Sequence, residues 1–111
     1  MPQRFWHIKL TLAGAAYAPH AVRASLQRLA DQHPFLLSGR YASDHAEVHY
    51  WEEACDAEEA SALALHMWTQ NRESASLPDW AVVGLEVLER DAYRERADAG
   101  YRLAGGDIRP Y

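Results

Sequence analysis

Cysteine is almost absent from this sequence: Cys55 is the one thiol among 111 residues. A lone thiol cannot close an internal disulfide, so the fold is not stapled, and such usage fits a reducing cytoplasm. No apolar run approaches the roughly 20 residues that a membrane-spanning helix needs. Residues 1–12 carry the basic Arg4 but no small-residue cleavage site, so neither a membrane partner nor a secretory leader is expected. A phosphate-binding loop is lacking too. Gly105-Gly106 has no strand signal before it, no helix signal after it and no Lys-Ser/Thr pair. No cofactor is expected on these grounds. Basic residues are scarce through the middle of the chain, where residues 43–89 hold Arg72 against eleven acids, a net charge of −10. Residues 1–42 come to +4 and residues 90–111 to +1, for −5 overall. A basic first part and an acidic second part neutralise each other within one fold, or pair with a charged partner.

What is present is periodicity. Residues 5–12 alternate as a strand does, with Trp6, Ile8, Leu10 and Leu12 on one side and Phe5, His7, Lys9 and Thr11 on the other. Residues 19–33 read as a helix opened by Pro19, with Val22, Leu26, Leu29 and Ala30 as its apolar stripe and His33-Pro34 as its end. Residues 36–42 and 45–51 read as a hairpin around Ser43-Asp44. In its tightest register Tyr41 faces Ala46, Arg40 faces Glu47, Gly39 faces Val48, Ser38 faces His49 and Leu37 faces Tyr50. Asp56 and Glu59 resemble a capping box at the head of a second helix, whose stripe is Ala60, Leu63, Ala64, Met67 and Trp68. Residues 80–89 form the last strand, with Ala81, Val83, Leu85 and Val87 expected inward and Val82, Gly84, Glu86 and Leu88 outward. A short helix at residues 91–97 and a glycine-rich tail complete one domain, residues 1–111, with its core in 5–89.

The order β-α-β-β-α-β resembles the ferredoxin-like split β-α-β arrangement. The resemblance implies an α+β fold: a four-stranded antiparallel sheet, order 4-1-3-2, with both helices on one face. The other face is then open. It displays Phe5, His7, Lys9, Ser38, Arg40, His45, Glu47, His49, Trp51, Val82, Glu86 and Leu88. This mixture of aromatic, aliphatic and paired charged residues is what a protein interface or a pocket wall carries.

Three chemistries compete for that face. His45-x-Glu47-x-His49 has metal-ligand types, but residues two apart on a strand are roughly 6.7 Å apart, so His45 and His49 stand about 13 Å from each other. No metal site is expected, because the pair cannot share one ion and a cross-strand Arg40–Glu47 pair accounts for the acid. His7 and His49 beside a carboxylate are the candidates for acid–base catalysis. In length and element order the chain is also similar to the dimeric α/β-barrel group, which includes cofactor-independent monooxygenases and isomerases; no motif residue carries over. RNA-recognition domains share the element order and stack bases on strand aromatics, as Phe5 and Trp51 could. The acidic third strand and the missing basic-Gly-aromatic signature argue against nucleic acid.

The first reading is therefore a small cytoplasmic binding or interaction module. It is a homodimer through the open face, with Phe5, His7, Lys9, Arg40, Glu47, His49, Trp51, Glu86 and Leu88 as interface, and its ligand is a protein or a small molecule. The second reading is a small cofactor-independent enzyme, of monooxygenase or isomerase type, with a pocket beside the sheet. The tail offers a third element: Tyr101, Leu103, Ile108 and Tyr111 are apolar enough to lie across the open face.

Overall fold

A computed structural model describes residues 3–33, 35–92 and 107–111. Strand β1 (Arg4–Ala13) leads through helix α1 (Pro19–Gln32) to the hairpin β2 (Leu36–Tyr41) and β3 (His45–Ala54). Helix α2 (Ala57–Asn71), strand β4 (Ala81–Glu89) and strand β5 (Asp107–Pro110) follow. The fold is α+β, and the sheet is mixed and five-stranded, in the order β4-β1-β3-β2-β5. The expected four-stranded pattern is thus corrected. The antiparallel order 4-1-3-2 is present, and part of the tail adds a fifth strand parallel to β2. Of the helix expected at 91–97, residues 90–92 are helical and the remainder lies outside the described residues, as do Tyr101 and Leu103.

Local chemistry explains the helix limits. Pro19 opens α1, where a missing N–H is harmless, and His33 leaves the helix in an extended conformation ahead of Pro34. Asp56 caps α2 by accepting a hydrogen bond from Glu59 N at 2.8 Å. One apolar cluster joins Ile8, Leu10, Leu12, Val48 and Tyr50 of the sheet to Val22, Leu26 and Leu29 of α1 and Ala60, Ala64, Met67 and Trp68 of α2. Leu63, expected in that stripe, is exposed, because the contact line runs along the 60-64-67-68 side and leaves it on the flank. The connection after α2 contributes more than its loop-like composition implies. Ala75, Leu77 and Trp80 are buried, and Arg28 Nε donates to Ala75 O at 2.7 Å.

Two irregularities revise the expected faces. In the hairpin, Ser38, Gly39, Arg40 and Tyr41 stand opposite His49, Val48, Glu47 and Ala46 as predicted, but Leu36 rather than Leu37 faces Tyr50. In β4, Thr11 faces Gly84 while Leu12 faces Val82, so Val83 is an extra, bulged residue. Leu85 and Val87 keep their inward places beside Leu10 and Ile8. Beyond the bulge the alternation is inverted: Val82 packs on the core and Val83 is 63% exposed, each the reverse of the expected side.

Candidate functional site on the helix-free face

The pairing registers turn the face opposite the helices into three cross-strand rows. Trp51, His7 and Leu88 form the first, His49, Lys9 and Glu86 the second, and Arg40, Glu47 and Thr11 the third. Alternation along β1 and β3 builds these rows, because Ile8, Leu10, Val48 and Tyr50 are held in the core and their neighbours must point away from it.

At the centre, His7 has the His49 ring 5.4 Å away and the Trp51 ring 5.5 Å away, the latter edge-on. These flanking rings help bury His7, which is only 3% exposed although it lies on the face expected to be open. Lys9, Glu47, His49, Trp51, Glu86 and Leu88 are half-buried, Arg40 is exposed, and Phe5 lies outward at the strand's beginning. Phe5 also lines a depression of about 570 Å³ with Gln3, Arg4, Glu89, Arg90 and Asp91, at the end of the sheet away from the His49–Glu47 pair.

Arg40 stands opposite Glu47, as the hairpin register requires, while the Glu47 carboxylate reaches along its own strand to His49, Oε1 to Nε2 at 2.7 Å. An ionised carboxylate only accepts, so Nε2 carries the proton and Nδ1 is the second nitrogen of the ring. His49 Nδ1 is buried and has no hydrogen-bond partner among the described residues. A carboxylate-oriented imidazole can exchange a proton at its second nitrogen, and a ligand atom reaches this buried one when the face opens.

His45 does not join this group. It bonds Asp44 at 2.7 Å, which holds the Asp44 carboxyl below its usual range, and its ring lies 4.6 Å from that of Tyr111. Among the described residues no three His, Cys, Asp or Glu side chains are arranged to hold a metal ion. Cys55 donates to Glu59 Oε2 at 2.9 Å, and that bond pushes the thiol above its usual range. Among the described residues no helix is long and apolar enough to cross a membrane.

Of the tail residues expected to lie across the open face, Ile108 is on the opposite side, over Gly39, and Tyr111 reaches the expected one at His45. Their only signal was apolar character in a polar tail. Comparison with curated proteins returns no match. Over residues 5–104 the sequence matches a family described as Domain of unknown function (DUF8830), and the chain belongs to that family.

Proposed function

We propose that this domain is a binding and interaction module whose working surface is the helix-free face, with a second copy of the chain as partner. The observation that carries this reading is the row Trp51–His7–Leu88, an aromatic and apolar stripe beside rows of charged residues. An apolar centre with a charged border is the anatomy of a protein interface. Among the described residues α1 and α2 both pack on the other side of the sheet, and two such faces meeting supply a second layer. Cys55 as the one thiol of the sequence supports a cytoplasmic setting. Light scattering on the full chain tests the reading: a dimer that Trp51→Glu dissociates, with an unchanged circular dichroism spectrum, supports it. A wild-type monomer throughout the micromolar range, or a Trp51→Glu chain that stays dimeric, refutes it.

A second reading has its own observation. The Glu47–His49 pair, whose buried Nδ1 has no hydrogen-bond partner among the described residues, supports a small cofactor-independent enzyme of the monooxygenase or isomerase kind, acting on a substrate whose acidic O–H reaches that nitrogen when the face opens. A panel of phenols and enolisable ketones distinguishes it. Compounds that raise the Tm of the wild type but not of His49→Ala favour the enzyme, and no response from either protein favours the module.

A further inference from the structure

A cleft of about 220 Å³ lies between α1 and the connection from α2 to β4, apart from the helix-free face. Its floor is apolar and buried: Val22 of α1 with Leu77 and Pro78 of the connection. Ala21 and Ala24, three apart on the helix surface, are too short to fill the space above that floor. Tyr17, Arg28 and Ser76 bring polar groups to it, and among the described residues no carboxylate lines it.

The fold fixes these polar groups and leaves them able to donate. Arg28 Nε donates to Ala75 O at 2.7 Å and Nη2 to Ser76 O at 3.4 Å, so the guanidinium is tied in place by backbone carbonyls. Carbonyls do not neutralise its charge, and among the described residues Arg28 is in no ion pair. Asp79, the acid next to the cleft wall, is paired with Arg72. The Tyr17 ring stands edge-on to Trp80, and Asp79 N donates to its hydroxyl at 3.5 Å, so the phenolic proton remains to be given. Ser76 has a φ of 51°, in the left-handed region that favours glycine. Serine there costs stability and keeps a hydroxyl-bearing residue in the cleft wall. One cation beside two hydroxyl-bearing residues complements a monoanion, and the apolar floor asks for a short hydrocarbon chain attached to it. The volume falls below the about 300–1,000 Å³ of drug-sized sites, so the ligand is compact.

We propose that this cleft binds a small free carboxylic acid as its anion, with the carboxylate on Arg28, Tyr17 and Ser76 and the chain on Val22, Leu77 and Pro78. The test is a titration of the full-length, nitrogen-labelled chain with acetate, butanoate and hexanoate, read by amide NMR shifts at constant pH and ionic strength. Butanoate is expected to shift the amides of Tyr17, Val22 and Leu77 in a saturable way. Butanamide, with the same shape and no charge, is expected to bind about tenfold more weakly, as loss of a hydrogen bond between charged groups does. Ala24→Leu fills the cleft without touching its polar groups and is expected to abolish the shifts. Ser76→Gly is expected to raise the Tm yet weaken binding, a split that damage to the fold cannot produce. No saturable shift with any of the acids, butanamide binding as tightly as butanoate, or shifts that survive Ala24→Leu overturns the proposal. A peptide whose free C-terminal carboxylate binds more tightly than every acid overturns it too, and assigns the cleft to a chain terminus.

Discussion

The indole ring of Trp80 occupies the space that Gly14 leaves by having no side chain: a Cβ built on Gly14 would lie 2.5 Å from Trp80 Cδ1. The ring has little freedom to yield. Its Nε1 donates to Ala15 O at 2.8 Å, and it stacks on Trp68, with centroids 6.3 Å apart and planes 1° from parallel. Gly14→Ala is therefore expected to destabilise the protein by about 1–3 kcal/mol, as overpacking does. Trp80→Ala is expected to cost about 3–5 kcal/mol. Urea unfolding followed by circular dichroism measures both, and a neutral Gly14→Ala contradicts the packing described.

The bulge at Val83 separates two substitutions that strict alternation would rank alike. Leu10→Ala removes a fully buried side chain and is expected to cost about 2–5 kcal/mol. Val83→Thr alters an exposed, bulged position and is expected to stay within about 0.5 kcal/mol of the wild type. A large loss at Val83 would place that residue back in the core.

Glu52 supplies a pH dependence. It shares the helix side of β3 with Tyr50, and burial raises its pKa, partly opposed by the charge of His33. A carboxyl group with a raised native pKa binds its proton more tightly when folded. Its contribution favours the fold below the ordinary carboxylate value and is lost as pH rises through the native value. At neutral pH the ionised group opposes folding, so Glu52→Gln is expected to be more stable than wild type there. That advantage should shrink as the pH falls through the carboxylate range. Urea midpoints between pH 4 and pH 8 test the sign, and an advantage that grows toward acid refutes it.

Cys55 is expected to alkylate slowly with iodoacetamide at pH 8. Its hydrogen bond to Glu59 disfavours the thiolate first, followed by burial and the charges of Glu59 and Asp56. Glu59→Gln should speed the reaction and move its pH profile downward, and an unchanged profile would remove Glu59 as the cause.

Much of the fold follows from local pattern. Alternation located β1 and β3, Pro19 and Asp56 marked helix starts, and the hairpin pairs from Ser38–His49 to Tyr41–Ala46 followed from matching two alternating faces. The candidate site was legible to the same depth. His7, His49 and Trp51 share one face because side chains alternate, and that much is a property of the residues in order.

Tertiary structure decided the rest. Val83 reads as an inward residue until the pairing of β1 with β4 slips by one position between Thr11 and Leu12, an event set by the partner strand. Glu47 reads as the partner of Arg40, yet on the half-buried face its carboxylate is hydrogen-bonded to His49. The seat of Ile108 joins positions 39 and 108 across most of the chain, and no periodicity links residues so distant. The sequence alone determined which side chains belong to each face, because a strand's period of two is local. Which strands meet, in what register and beside which terminus, required the packed structure, because pairing depends on contacts between segments remote along the chain.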